Sequence, residues 1–356
     1  MTGWGKGTRP QVLGSTFRVK DKVSQRRYSD MKRWAIHSII VGLLALLGLL
    51  ACGLQNVRSQ ETAKPEVAAF EVESRPVDIW SDGTRLSGNL SYLKGLQSGD
   101  KQPAVILCHG WGGLRSHLNQ AYAPEFAKAG YVVLTFDYRG WGDSDSRMVI
   151  KEKMPEPDES GMITVRAQAI RELVDPFDQT EDIIHSIDFL TGEPGVDPDR
   201  IGLWGTSFGG GHVVYVAALD KRVKCIVSQV PSMDGSWVNL YYQPAELATR
   251  RARGEINPVP QNINKIGRLK GTPFLSRIAK YHPVKFADQL KVPTLIIVAA
   301  KEELMDNKLH GERVYNLVKG NVPAKYEVFS GTHFEIYRQG RLQSIKMALE
   351  WFDKHL

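Results

Sequence analysis

A chain of 356 residues, 42% hydrophobic and 24% charged, holds enough apolar material for one large α/β domain and is neither disordered nor fibrous. Its net charge of +7 raises the question of a nucleic-acid partner, and the placement of the charge answers it. Residues 1–33 carry nine Lys/Arg against Asp21 and Asp30, so the excess lies in this basic segment. The rest of the chain is neutral overall, which excludes a basic nucleic-acid footprint on the folded part.

From Trp34 to Leu54 runs WAIHSIIVGLLALLGLLACGL, whose polar interruptions, His37 and Ser38, both lie near its start. Such a stretch is long enough to span a bilayer as a helix, and the basic flank places the N-terminus in the cytoplasm and the remainder outside. Met31-Lys32-Arg33, the apolar core and Leu49-Leu50-Ala51-Cys52 together resemble a bacterial lipoprotein signal peptide. On that reading Cys52 is the lipidated first residue and Met31 the start of translation. An uncleaved signal anchor and an ordinary cleaved signal are the alternatives, and all three put the folded part outside the cytoplasm. Residues 55–67 are polar and suit a tether, with the folded domain expected over 68–356.

The alternating runs Phe70–Trp80 and Thr84–Leu93, joined by Asp82-Gly83, predict an antiparallel hairpin. Continuous apolar runs at Ala104–Cys108, Val132–Phe136, Ile201–Trp204, Cys225–Val230, Thr294–Val298 and Tyr326–Phe329 predict parallel strands covered on both faces. Helical stretches such as Asp178–Leu190 and Leu309–Val318 separate them. The segments 148–175 and 232–283 are too long for plain connections and are expected to be locally helical lids. In the second, Trp237, Tyr241, Tyr242, Arg250, Arg251 and Arg253 are expected to shape a pocket. Cys108 and Cys225 sit inside predicted strands that are not neighbours, so they are expected to be buried thiols without a disulfide.

A hydrolase that uses serine needs a nucleophile, a base, an orienting acid and donors for an oxyanion. Gly205-Thr206-Ser207-Phe208-Gly209 follows an apolar strand and opens a Gly-rich helix, the setting of a nucleophile elbow with Ser207 exposed at the bend. His109-Gly110-Trp111-Gly112-Gly113 follows the first parallel strand, which offers the Trp111 amide as one oxyanion donor and the Phe208 amide as the other. His333 lies just beyond the last strand, at the sheet edge where such sites are built, and is the base. For the acid, Glu302 is preferred as lying four residues past its strand, with Asp306, Glu303 and Asp234 as alternatives. Asp306 also offers a cap for the following helix. His109 and His212 read as bracing or packing residues, and His117 and His310 as surface or helix residues. No cluster has metal-ligand spacing in the sequence, so no metal and no cofactor is expected.

In this Ser…Glu…His order the chain resembles an α/β-hydrolase-fold serine hydrolase over Phe70 to Leu356. The run Asp137-Tyr138-Arg139-Gly140-Trp141-Gly142-Asp143-Ser144 is similar to the D-x-R-G-x-G-x-S turn of that family. The elbow and the HGWGG loop resemble its dienelactone-hydrolase-like and acyl- or Xaa-Pro-peptidase-like branches. The resemblance implies an eight-stranded, mostly parallel sheet with helices on both faces and a helical cap insertion. It also implies loop-fixing roles for Asp137 and Arg139. Two departures stand out: dienelactone hydrolases proper carry cysteine where this chain has Ser207, and the family usually has Asp where Glu302 stands. The activity it implies is cleavage of a small carboxylic ester through an acyl-enzyme. A peptidase or amidase, an acyltransferase and a non-catalytic binding protein are the alternatives.

Overall fold

A computed structural model describes residues 71–97, 99–260 and 269–356. The basic segment, the apolar stretch with Cys52 and the tether all lie outside the described residues. Among those described, no helix is long and apolar enough to cross a membrane.

Among the described residues twelve strands form, in the order β1 Val72–Ser81, β2 Thr84–Leu93, β3 Gln102–Cys108, β4 Val132–Phe136, β5 Met148–Ile150, β6 Ala167–Ala169, β7 Leu173–Val174, β8 Val196–Thr206, β9 Val223–Gln229, β10 Thr272–Pro273, β11 Thr294–Lys301 and β12 Ala324–Thr332. Eight of them make one sheet in the order β1-β2-β4-β3-β8-β9-β11-β12. From β4 to β12 every pairing is parallel, while β2 runs antiparallel to both β1 and β4. The expected sheet and its leading hairpin are present.

Successive side chains of a strand point to opposite faces, and the two cores follow that period. Ile106, Leu134, Leu203, Ile226 and Ile296 pack on one face with helices Pro176–Thr191, Phe208–Leu219 and Gly311–Val318. Val105, Leu107, Val133, Trp204, Val227 and Ile297 pack on the other, against helices Arg115–Ala121, Ala123–Lys128 and Arg341–His355. Both faces being covered is what allowed unbroken apolar runs. Cys108 faces the first core and Cys225 the second, with β8 between their strands, and both are free thiols.

The segment 148–175 departs from expectation. It contains no helix: β5 and β6 pair as a small antiparallel ribbon, and β7 pairs with β10. Its β-branched residues Val149, Ile150, Ile163, Thr164 and Val165, with Pro155 and Pro157 between, favour extended backbone over helix. The segment 232–283 is helical in short pieces, at Val238–Tyr241, Pro244–Ala252 and Leu275–Ile278.

Candidate active site

β8 runs into helix Phe208–Leu219 through Ser207, which holds φ 55° and ψ −119°, a conformation few side chains adopt. The bend is tight enough to fix its neighbours as glycine. A Cβ on Gly209 would stand 2.4 Å from the carbonyl oxygen of Cys108, and one on Gly110 would stand 2.8 Å from Ser207 Cβ. The HGWGG loop therefore lies directly against the elbow. The Ser207 amide donates to the carbonyl of Gln229 at 2.8 Å, which ties the bend to β9.

His333 follows β12 immediately, and its side chain is 2% exposed. Nε2 is 3.1 Å from Ser207 Oγ, and Nδ1 is 3.0 Å from the Glu302 carboxylate, which is 4% exposed. β11 extends to Lys301 with a register shift after Ala299, so Glu302 stands one residue beyond the strand rather than four. Glu303 accepts the backbone N–H of His333 at 2.7 Å, so the two neighbouring carboxylates hold the ring and the main chain of one histidine. The other carboxylates are engaged elsewhere. Asp306 accepts from the Lys308 amide at 2.9 Å, and Asp234 pairs with His282 at 2.8 Å. The residue before helix Gly311–Val318 is His310, so Asp306 does not cap it.

The loop after β3 turns at Gly110 and presents Trp111 beside Phe208, their rings 5.4 Å apart. Among the described residues neither the Trp111 nor the Phe208 amide donates to another backbone group, which leaves two N–H groups at the elbow. Asp137 accepts from the Arg115 amide at 2.8 Å and from its guanidinium at 2.9 Å, which fixes the end of the HGWGG loop. Arg139 is buried against Asp182, with Nε 2.7 Å from the carboxylate.

The other histidines have structural partners. Burial lowers His109 to about 4 and His212 to about 3, so both are neutral. His109 Nδ1 bonds the carbonyl of Gly110 at 3.0 Å, and His212 lies between Tyr281 Oη at 2.7 Å and Gln179 at 3.0 Å. His310 accepts from the Met233 amide at 2.8 Å and is half-buried, where desolvation lowers its pKa. His117 is exposed, on the first turn of helix Arg115–Ala121.

Beside Ser207 opens a cavity of about 430 Å³, walled largely by Trp111, Leu118, Tyr122, Leu269, Phe334 and Tyr337. The lid residues Trp237, Tyr241, Tyr242, Arg250, Arg251 and Arg253 do not line it. Its wall comes from helix Arg115–Ala121, Tyr122, the turn after His333 and, from the segment 232–283, Leu269 alone among the described residues. Tyr337 was not singled out by sequence. Its hydroxyl is 2.9 Å from Thr206 Oγ1, and burial pushes its phenol up. The only signal for it was its position four residues after His333.

Comparison with known proteins agrees with this architecture. The family model described as "alpha/beta hydrolase fold" matches residues 103–265, which include the HGWGG loop and the elbow. An uncharacterised 31.7 kDa protein in the traX-finO intergenic region of Escherichia coli is 32% identical over 287 residues, covering 72% of this chain and 92% of that one. The chain belongs to the α/β-hydrolase fold family. This α/β hydrolase is also 25% identical over 315 residues to the quorum-quenching protein AidA of Acinetobacter baumannii, covering 77% and 96% of the two chains. The solved structure of the Pyrococcus furiosus esterase Pf2001 superposes with a TM-score of 0.54 at 16% identity, over 80% of this α/β hydrolase and 90% of the esterase.

Proposed function

We propose that this α/β hydrolase cleaves carboxylic esters through an acyl-enzyme on Ser207. The observation that carries the reading is the chain of contacts from Glu302 through His333 to Ser207 Oγ, at 3.0 and 3.1 Å, beside an apolar cavity. His333 takes the Ser207 proton as Oγ attacks the ester carbonyl. The Trp111 and Phe208 amides hold the oxyanion, and His333 returns the proton to the departing alcohol. Water then attacks the acyl group, gives its proton to His333, and Ser207 recovers it. Glu302 keeps the imidazole in the tautomer that points a lone pair at Ser207. The cavity wall is mainly hydrocarbon and aromatic, which suits the acyl or aromatic part of a small ester.

In the proposed setting the enzyme works outside the cytoplasm, held to the membrane by a lipid on Cys52, which cleavage of the preceding signal segment makes the first residue of the mature chain. Mass spectrometry of the mature N-terminus tests this part: a diacylglyceryl adduct on Cys52 supports it, and an unmodified chain beginning upstream of Cys52 rejects it. A series of p-nitrophenyl esters and matching anilides tests the reaction. Turnover of the esters with none of the anilides is expected, and the reverse would make the protein an amidase.

A further inference from the structure

The Asp82-Gly83 turn that closes the β1–β2 hairpin reaches the helix Pro176–Thr191, and three side chains converge there. Asp82 comes from the turn, and Glu181 and His185 stand one helical turn apart. One ligand-type atom from each lies within 4.8 Å of the other two, and His185 Nε2 is 3.6 Å from Asp82 Oδ1.

The hydrogen-bond network assigns the proton on the histidine. His185 Nδ1 is 3.0 Å from the carbonyl oxygen of Glu181, which can only accept, so Nδ1 carries the hydrogen. Ser81 Oγ, 3.1 Å from the same nitrogen, donates to Asp182 and accepts from Arg139. In the neutral ring Nε2 then holds a lone pair. An imidazole nitrogen and two carboxylates thus lie within reach of one another, a donor set that a single divalent cation can bridge.

We propose that Asp82, Glu181 and His185 bind one zinc-class divalent cation. One imidazole nitrogen and two carboxylates suit a borderline metal, with water completing its shell. The 3.6 Å separation is that of two ligands each about 2.1 Å from a common ion at a near-tetrahedral angle. The far nitrogen of His185 is anchored to a backbone carbonyl and to buried Ser81, which fixes its ring as metal-bound histidines require. Arg139, whose charge Asp82 feels, is neutralised by Asp182 and does not compete. None of the three ligands lines the Ser207 cavity, so the ion acts as a clip between hairpin and helix, independent of the proposed reaction.

The test is titration of the chelator-stripped full-length protein with Co²⁺ alone, followed by visible absorption, and then displacement with Zn²⁺. We expect one equivalent per chain, a rise in Tm on Zn²⁺ addition, and at least a tenfold weaker Kd in His185→Gln and Asp82→Asn. Asp82 holds φ 47°, which asparagine also tolerates, so the second variant keeps the turn. Circular dichroism establishes that each variant is folded. Absence of saturable one-to-one binding to the wild type, or equal binding by a folded His185→Gln, overturns the assignment.

Discussion

The backbone N–H of His333 donates to Glu303 at 2.7 Å, while the ring of the same histidine reaches Glu302 at 3.0 Å. Two adjacent acids thus divide between main chain and side chain. Glu302→Gln is expected to lower kcat by about 10³–10⁴-fold, because the amide cannot stabilise the imidazolium that forms. Glu303→Gln keeps an oxygen that accepts the amide and should cost less than about tenfold. Steady-state kinetics on one ester checks both, and the opposite ranking would move the acid role to Glu303.

Gly110 and Ser207 approach so closely that a Cβ on the glycine would stand 2.8 Å from Ser207 Cβ and 2.9 Å from the Thr206 carbonyl. Those neighbours belong to a strained elbow and cannot retreat freely. Gly110→Ala should displace the Trp111 amide from the oxyanion and reduce kcat by about 10²-fold or more, the cost of losing one donor. A fall in KM-independent turnover, with the chain still folded by circular dichroism, checks this.

Ala121 and Leu118 wall the cavity from helix Arg115–Ala121 and its last residue. Ala121→Trp should fill part of the cavity and shift preference toward short acyl chains. The kcat/KM for an octanoyl ester should fall about tenfold or more relative to acetyl, at the scale of one to three kcal/mol per displaced methylene group. Measuring both esters with wild type and variant separates this from a general loss of activity.

Asp175 caps helix Pro176–Thr191 by accepting from the Phe177 amide at 3.1 Å and also pairs with Arg277 at 2.7 Å. Burial, and then the neighbouring Asp178 charge, raise its pKa to about 6 against the attraction of Arg277. A carboxyl raised from about 3.9 in the unfolded chain stabilises the fold fully below that value. Its contribution is lost as pH rises to about 6. Asp175→Asn keeps the cap but removes the titration, so its Tm should gain on that of the wild type between pH 4 and 6 and run parallel above. Thermal unfolding across that range checks the slope.

Much of this molecule was legible in the sequence because its signals are local. The unbroken runs of β3, β4, β8, β9 and β11 reflect strands covered on both faces, and the elbow and the HGWGG loop are spelled in consecutive residues. Glu302 was approachable for the same reason, although the extra residues of β11 beyond the register shift were not visible. Features assembled from distant segments were harder. The cavity joins Leu118, Leu269 and Tyr337 from three separate elements, and no periodicity marks such a wall. The ribbon β5–β6 stands where segment length predicts a helical lid, because its β-branched residues favour extended backbone. Glu181 and His185 alone make no cluster, and Asp82, from a turn about a hundred residues earlier, joins them only through the fold.

Whether Ser207 is the activated nucleophile is decided by intact-mass analysis after treatment with a fluorophosphonate. One phosphonyl adduct per wild-type chain, mapped to Ser207, is expected, and none on Ser207→Ala. A folded wild type that takes up no adduct, or a Ser207→Ala variant labelled as fully as the wild type, would contradict it.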